Sequence, residues 1–295
     1  MNPILVFGRG GQLALSLAER AAARGVALSF AGRPEADLAE PESLRRAIAG
    51  SGAALVINAA AHTAVDQAED EPEAAHALNA EAPRVLAEAA RDAGARLIHV
   101  STDYVFDGSG DRPWREDDPT GPRSVYGRSK LAGEAAVRET LPEHAIVRTA
   151  WVYSPFGRNF VRTMLTLAET RDSLSVVGDQ IGSPTSALDL ADGLLAIAET
   201  WAREPGRGVG ATYHLAGTGS ASWAEFAGET FRFSRARGGP SAEVTAIATA
   251  DWPAKAPRPL NSRLNTDLFA ETFGYRAPPW RESLERVVER LLAGR

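Results

Sequence analysis

Residues 4–24 read as a strand, a glycine turn and a helix in immediate succession, an order that few architectures accommodate. Ile4–Phe7 is apolar throughout, Gly8-Arg9-Gly10-Gly11 follows, and Gln12–Arg24 is rich in Ala and Leu with Gly25 as its stop. The alternation continues. Ala27–Ala31, Ala54–Asn58, Arg96–Val100 and Ala145–Thr149 are further strand candidates, separated by the helix candidates Pro41–Ala49, Glu73–Ala93 and Ser129–Glu139. Strands that are apolar along their whole length and alternate with helices belong to a parallel sheet covered on both faces. The expected class is α/β, a doubly wound parallel sheet.

The second half is less regular. Phe160–Thr170, Leu188–Thr200, Trp223–Phe231 and Arg281–Leu292 carry helical patterns, and Leu174–Val177 and Thr212–Leu215 strand patterns. Ala254–Leu260, with Pro257 and Pro259 inside it, is a loop. The change near residue 150 predicts two lobes, 1–150 and 151–295, joined by chain crossings. A net charge of −6 supplies no field toward nucleic acid or anionic lipid. The absence of cysteine excludes a disulfide framework, a thiolate metal site and a cysteine nucleophile. No apolar run reaches the ~18 residues of a membrane span, and no basic, signal-like segment precedes Ile4. The expected location is the cytoplasm, with no nucleic-acid or membrane partner.

A glycine turn between the first strand and first helix lets the backbone approach a pyrophosphate at a helix N-terminus. Gly8, Gly11, Gln12 and Leu13 are the candidates, although Leu13-Ala14 stand where a third glycine is usual; a tight turn without a ligand is the alternative. The second strand candidate ends in Gly32-Arg33-Pro34 instead of an acid, and an arginine fork suits a 2′-phosphate. Arg33 therefore points to NADPH over NADH, or to use of both, with a solvated loop arginine as the alternative. Asp37 and Leu38 are placed to reach an adenine, or Asp37 is a turn residue. Asn58-Ala59-Ala60-Ala61-His62-Thr63 ends the third strand with small residues that let a cofactor lie close. Asp66 and Glu69 follow at helical spacing, a weak metal pair and a better helix-start pair.

Tyr126 and Lys130 are four residues apart at the start of a helix candidate, on one face. A lysine beside a phenol brings its titration toward neutrality, as a proton donor for carbonyl chemistry requires. Thr102 ends the fourth strand, where ligands bind in open parallel sheets, and is placed to bond a carbonyl.

Together these segments resemble the extended short-chain dehydrogenase/reductases, and within them the dTDP-4-dehydrorhamnose reductase family. The matching segments run from Gly8–Leu13 through Ser101–Gly108, Tyr126–Glu134 and Arg148–Tyr153 into the second half and cover nearly the full length, and the narrower ones are NAAAHTAVDQAE from Asn58, DQIGSPT from Asp179 and RPLNSRL from Arg258. The resemblance implies a Rossmann-type sheet with a smaller α/β substrate lobe, and reduction of the 4-keto group of dTDP-4-dehydro-L-rhamnose by NADPH or NADH. It implies Tyr126 as the acid, Lys130 as its partner and ribose ligand, and Thr102 on the carbonyl. Gly11, Gln12 and Leu13 then meet the pyrophosphate, and Asp37, Leu38, Ala60, Ala61, His62 and Thr63 line the cofactor. Asp103 and Trp151 lie on the sugar side, and Arg258 or Arg263 near the nucleotide pyrophosphate. Some members dimerise around magnesium held by glutamates; Ser16 and Leu188 occupy the corresponding regions, so the expectation is no metal and a monomer or weak homodimer, unless Asp189 compensates. A reductase or epimerase for another nucleotide keto-sugar, and a cofactor-binding regulatory subunit without turnover, remain as alternatives.

Overall fold

The computed structural model describes residues 3–294. The first half runs β1 (Ile4–Phe7), α1 (Gln12–Ala23), β2 (Leu28–Ala31), α2 (Pro41–Ser51), β3 (Leu55–Asn58), α3 (Val65–Asp70), α4 (Pro72–His76), α5 (Ala82–Asp92), β4 (Arg96–Thr102), α6 (Val125–Thr140) and β5 (His144–Thr149). The second half runs β6 (Val152–Tyr153), α7 (Phe160–Leu167), β7 (Ser173–Val177), β8 (Ile181–Gly182), β9 (Thr185–Ser186), α8 (Ala187–Arg203), β10 (Ala211–His214), β11 (Ala221–Ser222), α9 (Trp223–Arg235), β12 (Glu243–Ile247), β13 (Asn261–Ser262), α10 (Asp267–Phe273) and α11 (Trp280–Ala293).

Six parallel strands form the central sheet in the order β2-β1-β3-β4-β5-β10. Alternate residues of each strand feed opposite cores. Ile4, Val6, Ile57, Ile98 and Val147 pack with Leu17 of α1 and Leu190, Leu194 and Leu195 of α8. Leu5, Phe7, Val56, Leu97 and Ile146 pack with Leu44 and Ile48 of α2 and Val85 and Leu86 of α5. Both faces are covered, which is why the strands read as unbroken apolar runs. The chain crosses between its halves: α8 lies against α1, and β10 extends the sheet beyond β5. A third core, built on Tyr153, Phe226, Trp280 and Leu284, joins α9 and α11 under the short strands of the second half.

Two elements depart from the sequence reading near the site. The helix expected over 73–93 is interrupted by a π-turn, Ala77–Glu81. Pro83 has no N–H to return to Asn79, so the ladder slips by one residue. The released Asn79 carbonyl faces α6, where a Cβ on Gly133 would stand 2.1 Å from it. Helix α6 starts at Val125, four residues before the expected Ser129, because Ser124 Oγ caps the Gly127 N–H at 3.1 Å. Strand β12 and helix α10 are among the elements with little sequence signal. Strand β12 pairs with β7 but is largely exposed and so lacks an apolar pattern, and α10 is only seven residues long.

Candidate active site

Strand β1 lies between β2 and β3, so the chain leaves β1 to one side and then returns to the other. A crevice opens beyond the carboxyl ends of the strands at such a reversal. Here it is a cavity of about 970 Å³, floored by the ends of β1, β3, β4 and β5 and walled by second-half residues Trp151, Phe160 and Trp223.

At one end lies the glycine turn. Gly8 has φ +117°, a conformation that side chains disfavour, and its N–H donates to Ala31 at 2.8 Å. Gly10 and Gly11 are not demanded by internal packing, since a Cβ on either would meet nothing within 4 Å. They face open space at the N-terminus of α1, which no side chain caps. That arrangement suits a phosphate anion approaching the backbone closely. Gly8, Gly11, Gln12 and Leu13 all line the cavity, as do Arg33, Asp37, Leu38, Ala60, Ala61 and Thr63. A dinucleotide fits this donor set: small residues along one wall, an anion-binding helix end, and an arginine where the second strand ends. Asp37 also serves its own turn, accepting the Ala39 N–H at 3.0 Å. His62 is not among the lining residues; its backbone is tied on both sides to the Asn79 side chain at 2.9 and 3.0 Å, which anchors the loop after β3 to the π-turn.

At the other end Thr102, Asp103, Tyr126, Lys130 and Trp151 meet. Thr102 Oγ1 donates to Asp103 Oδ1 at 2.9 Å. Asp103 is 3% exposed, and burial pushes its carboxyl up to about 6 against the pull of the Ser262 and Thr102 hydroxyls. Lys130 Nζ donates to the Val100 carbonyl at 2.7 Å, and burial pulls it down to about 8. The expectation that Lys130 brings Tyr126 toward neutrality is not met in this arrangement. Burial pushes the Tyr126 phenol above its ordinary value, with the nearby Thr102 hydroxyl opposing. The phenol is therefore neutral and holds its proton. Trp151 has φ +48°, a strained position for a non-glycine residue. Its indole stacks on Trp223 with centroids 3.6 Å apart and 8° between planes.

The motifs beyond Thr102, Tyr126 and Lys130 prove to be supports. Glu69 Oε1 accepts the Val125 N–H at 2.8 Å and caps α6. Asp66 accepts Arg258 Nη2 at 2.6 Å and the Ala256 N–H at 3.0 Å, holding the Pro-rich loop. Arg258 is thus occupied by Asp66 and the Tyr104 hydroxyl, and does not line the cavity. Arg263 bonds Asn261 within its own strand region. In DQIGSPT, Asp179 holds Thr249, and Gly182 makes room for the Trp151 indole, which a Cβ would meet at 2.3 Å. Sequence reasoning missed Trp223, Phe160 and Arg9 as lining residues. Two were assigned only to a helix, and Arg9 was visible solely as a residue between glycines.

The RmlD substrate binding domain family model matches residues 1–293. A dTDP-4-dehydrorhamnose reductase of Sinorhizobium fredii is 46% identical over 290 residues, 98% of this chain and 97% of that protein. The crystal structure of a dTDP-4-dehydrorhamnose reductase from Clostridium acetobutylicum superposes with a TM-score of 0.90 at 36% identity, covering 98% of this chain and 99% of the other. That of Bacillus anthracis, a complex with NADP, gives 0.88 at 34%, covering 97% and 98%. With matches of this length and identity, the chain belongs to the RmlD substrate binding domain family, among the dTDP-4-dehydrorhamnose reductases.

Proposed function

We propose that the chain reduces the 4-keto group of dTDP-4-dehydro-L-rhamnose to give dTDP-L-rhamnose, with NADPH as reductant. The observation that carries the reading is one cavity with an anion-binding glycine turn at one end and Thr102, Tyr126 and Lys130 at the other. NADPH, when bound, supplies the hydride to the carbonyl carbon. The residues do the rest. The Thr102 hydroxyl, turned from Asp103 toward the cavity, donates to the carbonyl oxygen. Tyr126 passes its phenolic proton to the oxygen as negative charge develops there, and takes a replacement from solvent. Lys130 bonds the nicotinamide ribose and stabilises the phenolate. Trp151 and Trp223 form the apolar wall for the sugar. Arg33 favours the 2′-phosphate of NADPH, in keeping with the NADP complex of the Bacillus anthracis relative.

On this reading the two lobes divide near residue 150, the first holding cofactor and the second most of the sugar-nucleotide. The reading includes a monomer or weak dimer without a magnesium bridge. In support, Ser16 donates internally to Gln12 at 2.8 Å, and the acids of α8 are already paired. Asp192 takes Arg20 and Arg24, each at 2.8 Å, and Asp189 takes Ser283 and Arg286. Among the described residues no helix is long and apolar enough to cross a membrane.

The test is loss of nicotinamide absorbance with purified protein, NADPH or NADH, and enzymatically generated dTDP-4-dehydro-L-rhamnose. Sugar-dependent oxidation that vanishes in Tyr126→Phe supports the proposal. Cofactor binding without oxidation overturns it.

A further inference from the structure

The Tyr126–Lys130 pair is the beginning of a longer ladder. Tyr126, Lys130, Glu134 and Arg138 succeed one another at four-residue spacing on α6, so they lie along one face. Lys130 is 2% exposed and Glu134 is fully buried. The Glu134 carboxylate is fixed on several sides. Arg148 of β5 grips it with two bonds of 2.8 and 2.7 Å, Ser101 of β4 donates at 2.6 Å, and Arg138 approaches to 3.6 Å. Ser101 immediately precedes Thr102, so this clamp is built into the strand that ends in the site. Lys130, by contrast, donates to one neutral acceptor, the Val100 carbonyl. A buried ammonium so sparsely bonded tends to shed its proton.

We propose that Glu134 is a positioning residue for Lys130: its clamped carboxylate, one helical turn away, keeps the ammonium charged at the base of the cavity. The plain alternative is that Glu134 and Arg148 merely staple α6 to β5. The other groups around Lys130 do not supply the charge. His99 of β4 is fully buried and held neutral. Asp103, beyond the end of β4, acts on Tyr104 and Tyr126. Tyr126 is neutral, the π-turn contributes the amide of Asn79, and Arg148 is a cation. Burial pulls Lys130 down to about 8, and the charge of Glu134 is what opposes the fall.

The usefulness of that charge rests on the role given to Lys130 above, but the charge itself is measurable without substrate or cofactor. Lys130 and Lys255 are the only lysines in the chain. Protein labelled with carbon-13 at the lysine ε position therefore gives two NMR signals, and Lys255→Arg assigns them. In the native protein the Lys130 signal is expected to titrate near pH 8. Glu134→Gln alone strands a buried arginine and risks misfolding, so the informative variant is Glu134→Gln combined with Arg148→Met, which removes both charges. Its Lys130 midpoint is expected to lie about one pH unit below that of Arg148→Met alone, a tenfold change in the protonation equilibrium. Arg148→Met alone is expected to move it upward. A double variant that folds and titrates at the midpoint of Arg148→Met alone overturns the proposal and leaves Glu134 as a staple. NADPH binding, followed by fluorescence, is expected to weaken at correspondingly lower pH in the double variant. A native protein that binds no NADPH overturns the reductase reading while the NMR midpoints still decide the role of Glu134.

Discussion

The carboxylate of Glu69 accepts the backbone N–H of Val125 at 2.8 Å, across 56 residues of sequence. Val125 opens the helix that carries Tyr126 and Lys130. The first turn of that helix is thus capped twice, locally by Ser124 and from α3 by Glu69. A negative charge at that end also suits the helix dipole.

Glu69→Ala is expected to lower stability by about 0.5–2 kcal/mol, the cost of a lost cap. Because the loosened turn holds Tyr126, kcat is expected to fall several-fold, whereas Glu69→Gln, which keeps the acceptor oxygen, changes both less. Thermal melts and steady-state kinetics on the two variants check this. A lower melting temperature with native kcat would show that Ser124 alone orders the turn.

Tyr126→Phe removes the hydroxyl and little else from a residue that packs against Ala68, Ala75 and the edge of Tyr104. The rate is expected to fall by roughly 10²–10⁴-fold with NADPH affinity retained, the loss of a general acid. Single-turnover kinetics with a parallel binding titration separates the two effects. Equal losses in both would assign the tyrosine to cofactor binding.

Much of this was legible in the residues. The apolar strands, the glycine turn and the Tyr–Lys spacing report directly on a doubly wound sheet and its crevice, because each is a local requirement of the backbone or of one helix face. What depends on distant pairing was not legible. Nothing near Arg258 in sequence shows that Asp66 takes its guanidinium, and nothing near Trp151 shows that Trp223 stacks on it. The direction of the Tyr126 shift was hidden for the same reason. Spacing reports that Lys130 is a neighbour, while burial by the whole site decides the sign.

Asp103 links stability to pH in the opposite sense from a surface carboxylate. Its folded pKa, raised to about 6 from an ordinary 3.8, means the native state favours the protonated form. Stability from this group is full below about pH 4 and is lost as pH rises through 6, on the order of 3 kcal/mol in all. Asp103→Asn, neutral at every pH, is expected to raise the melting temperature at pH 7.5 and to raise it less at pH 4.5. Activity is expected to change little through Thr102, since the asparagine Oδ1 can still accept its hydroxyl. Calorimetry at the two pH values is the check, and an identical change at both would contradict the burial argument.

Arg33→Ala is expected to weaken NADPH at least tenfold while leaving NADH nearly unchanged, because NADH has no 2′-phosphate for the guanidinium to meet. Arg9 also lines this end of the cavity but is already paired with Glu35. Binding titrations with both cofactors decide the matter. Equal weakening would move the role from the phosphate to the general field of the site.

Gly182→Ala probes the Trp151–Trp223 wall of the cavity from behind. A Cβ there would stand 2.3 Å from Trp151 Cε2, and the indole cannot simply retreat, because Trp223 lies against its other face at 3.6 Å. Trp151 is already strained at φ +48°, so the added methyl is expected to dislodge the ring at a cost of about 1–3 kcal/mol. The glycine turn is at the far end of the cavity and is untouched. The expected result is a raised KM for the nucleotide sugar with the NADPH dissociation constant unchanged, accompanied by altered tryptophan fluorescence as the stack opens. A changed fluorescence with native KM would show that the Trp151–Trp223 stack holds the second half together without touching the sugar.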